Sequence, residues 1–317
     1  MVTGIRSVPE DTSCTSRTQP PTFLFAYSND FSQKTILDTW NSFVNIEEEV
    51  DLQYSDFGNV RFDTKTPDSI HWNTNYKDVK SSIENNLPDH SLGFGDSSTG
   101  SDVLDVLNRY LYNGQVPICG SVVMILLKRY PNEYDITKVV NLIRSHHSIV
   151  HVITSGNPSG GSQPKTGYNI ALKSNGLGAF EYDDMISDMI PRFPLFATPF
   201  PIYTTNVKIS GTGSIKLPPM TVPIATEYYI SMTYQDHLPL DAFRSIKLEW
   251  DAGNFFEDNI LAQNSEDGGT YTSGWQYFGS GVTELTFSYE YNDKKVETLQ
   301  IRISSDTALD HWLPYAE

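Results

Sequence analysis

The stretch Thr22–Asp30, TFLFAYSND, narrows the choice of fold more than any other part of the chain. Thr22–Ala26 is a short, continuous apolar run, the mark of a strand buried on both faces. It breaks into a brief polar loop. Ser32–Val44 then sets Ile36, Leu37, Trp40, Phe43 and Val44 at helical spacing. A buried strand that turns directly into an amphipathic helix opens a parallel sheet covered by helices.

The same alternation continues to about residue 190. Val50–Tyr54 and Val60–Asp63 flank Ser55-Asp56-Phe57-Gly58-Asn59, which predicts a hairpin or an edge-strand pair. Helices are expected over Lys77–Leu87, which stops before Pro88, over Asp102–Tyr112 after the Gly/Ser-rich Gly93–Ser101 loop, and over Ile136–His146 and Tyr168–Ser174. Strands are expected at Ser121–Leu127, Ile149–Thr154 and Leu177–Phe180. The fold class is therefore α/β, a doubly wound and mostly parallel sheet, over residues 22–190.

The pattern then changes. Pro191, Pro194, Pro199 and Pro201 mark a linker over 191–202. Beyond it lie short runs rich in Tyr, Thr, Ile and Val: Val207–Ser210, Glu227–Tyr234, Ser245–Trp250, Tyr271–Phe278, Glu284–Tyr291 and Val296–Ser304. These predict an all-β sandwich over 203–317. Residues 1–21 are polar and read as a flexible leader.

The order of these segments resembles the von Willebrand factor A (vWA) domain. Thr22–Asp30 is similar to that family's first strand and metal loop, Asp-x-Ser-x-Ser. Val50–Asp63 is similar to its second strand and hairpin, and Ser98–Leu104 (STGSDVL) to its Thr-containing loop. Ser121–Arg129 (SVVMILLKR) is similar to its central strand, which usually ends in Thr-Asp-Gly. Ile149–Thr154 and Gly176–Phe180 fit its last two strands. The two-part layout also resembles expanded nematode families that join a vWA-like domain to a β-rich module. The resemblance implies non-catalytic adhesion through the loops at the carboxyl edge of the sheet.

It also implies a divalent ion there, held by about six oxygens that include carboxylates. Ser28, Thr99 and Asp30 still offer oxygen, but the leading Asp is replaced by Ala26, and the Asp after the central strand maps to Arg129, or to Lys128 one register away. A guanidinium about 4 Å from a dication costs roughly 8 kcal/mol at an effective dielectric of about 20. The expectation is a degenerate metal site with no metal and no cofactor, in which Arg129 ion-pairs with Asp30 or faces an acidic partner. The partner-binding loop edge is then Ser28, Asn29, Asp30, Ser98, Thr99, Ser101, Lys128 and Arg129, and its ligand a protein or a glycan.

Charge excludes another class. Against 22 Lys and Arg stand 39 Asp and Glu, a net −17, and such a field repels phosphate backbones, so no nucleic-acid partner is expected. The longest apolar run, Val122–Leu127, is far too short for a membrane span. The N-terminal residues contain no signal-peptide core and no Asn-x-Ser/Thr acceptor occurs, which favours an intracellular setting unless a longer start supplies a leader. Cys14 and Cys119 are open between one bridge and two free thiols.

Other motifs weigh against catalysis. Ser155–Thr166 (SGNPSGGSQPKT) is glycine-rich but lacks the spacing of a phosphate loop and reads as an ordinary or ligand-facing loop. His146, His147 and His151 have no companion cluster and read as solvated helix-end histidines. No G-x-S-x-G elbow is present. Tyr228, Tyr229, Trp250, Trp275 and Tyr277 fill the sandwich core or line an aromatic contact patch. A hydrolase or transferase on the doubly wound fold, or a structural assembly protein, are the competing readings.

Overall fold

The computed structural model describes Cys14 and residues 20–47, 54–195, 198–251, 257–263 and 269–316. The N-terminal part is a six-stranded sheet in the order β3-β2-β1-β4-β5-β6. Its strands are β1 (Thr22–Ser28), β2 (Asp56–Phe62), β3 (His71–Asn73), β4 (Val122–Leu127), β5 (Ile149–Ser155) and β6 (Gly178–Glu181). All neighbours run parallel except β3, which pairs antiparallel with β2 at the edge. The helices are α1 (Gln33–Glu47), α2 (Tyr76–Glu84), α3 (Val103–Leu111), α4 (Thr137–Ser145), α5 (Lys165–Lys173) and the short α6 (Ile186–Met189).

β1 shows why both faces need cover. Phe23, Phe25 and Tyr27 project into one apolar cluster with Trp40 and Phe43 of α1, and Leu24 and Ala26 into another with α3 and α4. A period of two on a strand buried on both faces leaves no solvated side.

The predicted turn at Ser55–Asn59 is overturned. Asp56–Asn59 begin β2, and the antiparallel pair is formed with β3. Gly58 is there for contact, because a Cβ would lie 2.7 Å from the Trp72 ring and 2.9 Å from Leu24. The Val50–Gln53 half of that prediction lies outside the described residues. The chain also does not leave the first unit at Pro191: Ile190, Phe193 and Leu195 sit in the α1-side core.

The C-terminal part is two four-stranded antiparallel sheets, β13-β10-β16-β7 and β12-β11-β15-β8, with a small β14-β9 pair. Their strands are β7 (Phe200–Ser210), β8 (Thr212–Lys216), β9 (Met220–Val222), β10 (Thr226–Thr233), β11 (Phe243–Asp251), β12 (Glu257–Gln263), β13 (Thr270–Phe278), β14 (Gly281–Thr283), β15 (Leu285–Tyr291) and β16 (Val296–Ser305). Ile230, Met232, Leu299 and Ile301 from one sheet meet Ile246, Leu248, Leu285 and Phe287 from the other, which makes a sandwich core. The β8, β9, β12 and β14 strands were not expected from sequence.

The sandwich covers the β6 edge of the first sheet. Gly178 N–H donates to Gln300 Oε1 (2.7 Å), and the Tyr168 hydroxyl of α5 donates to the Thr298 carbonyl (2.7 Å). Arg302 is buried in the junction, bonded to the carbonyls of Gly176 and Thr205 (2.8 Å each) and to Asn206 Oδ1 (2.9 Å). Burial lowers its pKa to about 9. Cys14 and Cys119 form a disulfide, which closes the alternative of two free thiols. No helix among the described residues is long and apolar enough to cross a membrane.

Candidate functional site

Open parallel sheets place their binding loops at the carboxyl ends of the strands, where strand order reverses. Here that point lies between β1 and β4. Arg129, two residues beyond β4, fills it, with only 3% of its side chain exposed. Its Nε donates to Asp30 Oδ2 at 2.8 Å, and one terminal nitrogen donates to the carbonyls of Asp96 and Thr99, each at 2.8 Å. The guanidinium also lies over the Phe94 ring, 5.4 Å from its centroid. A planar, multi-donor cation is therefore matched by a carboxylate and two carbonyls, the arrangement for which Arg is better shaped than Lys.

Neighbouring loops complete the enclosure. Ser159 Oγ donates to the same Asp30 oxygen. Gly160 lies against the guanidinium, where a Cβ would be 2.4 Å from the Arg129 nitrogen. Gly161 adopts φ +78°, and a Cβ there would be 1.7 Å from the Tyr130 carbonyl oxygen. Within the Ser155–Thr166 loop, Gly160 thus serves close packing over Arg129, and Gly161 over the Tyr130 backbone. Asp96 holds the facing loop, its Oδ1 accepting from the backbone N–H and hydroxyl of both Ser98 and Thr99. Those bonds pull the Asp96 carboxyl below its ordinary range.

A second acidic pair lies beneath. Ser28 Oγ donates to Asp63 Oδ2, Asp63 N–H to Asp102 Oδ1 (2.7 Å) and Asp102 N–H to Asp63 Oδ1 (3.2 Å). Burial, which outweighs the hydroxyl bonds from Ser101 and Ser28, pushes Asp63 up to about 7. Asp102 is raised for the same reason. Asp63 has φ +62°, a conformation that Asp tolerates better than most residues.

The eight residues expected at the edge divide by burial. Ser28, Asn29, Ser101 and Arg129 are buried and can only shape it. Asn29 is committed to the Asp89 backbone in both directions (2.9 Å each). Lys128 is held by Asp183 (2.7 Å). Ser98 is exposed, and Asp30 and Thr99 are half-buried. Ala26 does not face the edge but packs with Val60, Phe62 and Ile125. Sequence reasoning missed Asp63, Asp96, Asp102 and Ser159. The Asp-x-Ser-Thr spacing at 96–99, a turn motif, was the available signal for Asp96.

Beside the edge, α3 and α4 enclose a cleft of about 210 Å³ that includes Asp102, Asp105, Glu133, Asp135 and one cation, Lys138. The histidines at 146–151 separate. His147 stacks on Trp312 (4.6 Å, 4°), whereas His151 lies buried on β5 and is not solvated. Its Nδ1 accepts from Leu177 N–H (3.0 Å), and burial lowers its pKa to about 3.

A mixed sheet in the order 3-2-1-4-5-6, with an antiparallel edge hairpin and helices on both faces, followed by antiparallel sheets, defines a doubly wound α/β unit joined to a β-rich one, the fold class expected from sequence. A family model described as a domain of unknown function (DUF7154) matches residues 205–306. No curated protein matches the sequence. Among solved structures, the chain is similar to a von Willebrand factor type A protein from Catenulispora acidiphila (11% identity, TM-score 0.38, 94% of this chain and 64% of that one). It is similar to proximal thread matrix protein 1 from the mussel byssus (13%, 0.38, 61% and 49%) and to the SpRpn10 VWA domain (14%, 0.36, 55% and 95%). The chain thus spans less than two thirds of the length of the first of these and about half of the second.

Proposed function

We propose that this chain is a non-catalytic interaction protein that engages a protein partner, without a divalent ion, through the carboxyl edge of its α/β sheet. The observation that carries this reading is Arg129. A buried guanidinium, already paired with Asp30, occupies the place where the vWA resemblance expects a carboxylate for the metal. The accessible surface is then Ser98, Thr99 and the acidic cleft of Asp105, Glu133 and Asp135. That sign of charge, on a chain of net −17, favours a partner with a basic face over a neutral glycan. The Cys14–Cys119 bridge supports an oxidising compartment.

Two measurements test the reading. Thermal unfolding of metal-stripped chain in Mg²⁺ should match that in EDTA, whereas an ion at about 100 times its Kd would add about 2.7 kcal/mol. Partner capture on immobilised chain should persist in EDTA and fail for Glu133→Lys/Asp135→Lys. Capture that needs a divalent ion, or that ignores the charge reversal, would sink the proposal.

A further inference from the structure

A second polar cluster lies far from the edge loops in sequence, where the two units meet. Asp236 and His237 follow β10, Glu297 is on β16, and Lys165 opens α5 of the other unit. The loop is fixed by Gln235, whose side-chain amide donates to the carbonyls of His237 and Pro239 (2.6 Å each). One ligand-type atom from each of Asp236, His237 and Glu297 lies within 4.8 Å of the others. His237 Nδ1 is 3.3 Å from Asp236 Oδ1 and 3.3 Å from Glu297 Oε2.

This arrangement is short of positive charge, and its backbone donors are distant: Asp236 N–H lies 3.4 Å from Glu297 Oε2 and Thr298 N–H 3.3 Å from Asp236 Oδ2. Glu297 is 1% exposed, and its Oε1 is buried with no hydrogen-bond partner. A neutral imidazole bears at most one proton on Nδ1 and cannot bond fully to two carboxylates. The full charge that does reach the group, Lys165 Nζ at 2.8 Å from Asp236 Oδ1, sits on a side chain that is 50% exposed. A buried carboxylate oxygen left unpartnered is costly. A cation set among the three groups would offset the buried charge of Glu297 and remove the conflict at Nδ1.

We propose that Asp236, His237 and Glu297 bind a divalent transition ion of the zinc type at the junction of the two units. One imidazole nitrogen with two carboxylate oxygens is a donor set that suits Zn²⁺, whereas Mg²⁺ and Ca²⁺ favour oxygen alone. His237 is 27% exposed and gives the ion a path from solvent. Lys165 is the competing cation, displaced when the ion enters. The site is independent of the carboxyl edge and of Arg129.

The test is calorimetric titration of Zn²⁺ into metal-stripped full-length chain. One equivalent should bind. His237→Ala and Glu297→Gln should each weaken binding by more than about 100-fold, beyond the 10–100-fold that losing an outer hydrogen-bond partner of a ligand causes. Far-UV circular dichroism checks that these variants fold. Lys165→Met, which removes the competitor without touching a ligand, should bind Zn²⁺ more tightly than wild type. Absence of binding by wild-type chain would mean that the cluster is an ion-paired seam closed by Lys165, and would overturn the site. Undiminished binding in the folded ligand variants, or no gain in Lys165→Met, would overturn it equally.

Discussion

A guanidinium sealed from water has to be matched bond for bond, and Arg129 is matched by Asp30 and two carbonyls. Arg129→Ala should therefore cost about 3–5 kcal/mol in urea unfolding, since it strands a carboxylate that is only 10% exposed. Arg129→Ala/Asp30→Asn should recover part of that loss. Asp63 makes a different prediction. Its folded pKa, about 7, lies above the ordinary Asp value of about 4, so the folded chain holds the proton more tightly. The stability this contributes is full below pH 4 and is lost as pH rises towards 7, with a slope of at most about 1.4 kcal/mol per unit. Asp63→Asn should thus gain on wild type between pH 5 and pH 8, as read from paired denaturation curves. The Arg129–Asp30 pairing was legible in sequence, because an odd charge stood where a strand must end. Asp63 and Asp102 were not, because nothing local distinguishes an acid bent inward from one left in water.

At the scale of elements, apolar continuity and helical spacing were enough to read β1, β4, β5 and the helices that follow them. The hairpin was misplaced because Asp-Phe-Gly-Asn has turn composition while its Gly58 answers to the Trp72 ring across the strand pair. β8, β9 and β14 are too short for period-two alternation to stand out in sequence. The disulfide joins residues 105 apart, a separation for which loop closure predicts about 4.7 kcal/mol. Reduction should lower the unfolding midpoint accordingly, measured with and without a phosphine reductant. Next to the bridge, Gly120 has φ +68° and lies against Trp312, whose indole N–H donates to the Cys14 carbonyl (2.8 Å). Gly120→Ala should cost about 1–3 kcal/mol for the backbone alone, before the clash with the ring.

Across the whole molecule, the two units share buried polar bonds through Tyr168, Gln300 and Arg302, and this predicts a single cooperative transition. Tyr168→Phe with Gln300→Leu should lower the van't Hoff enthalpy below the calorimetric one, the sign that the units unfold separately. None of this was visible in sequence: the partners come from α5, β6 and β16, and each reads as an ordinary core or surface residue in its own segment. Cys14 and Trp312 also meet at the amino end of β4, opposite the loops that surround Arg129. β4 is six residues long, about 20 Å. The disulfide and the edge around Ser98 therefore sit at opposite poles of the unit, so a partner seated on that edge leaves the bridge uncovered and does not shield it from a reductant.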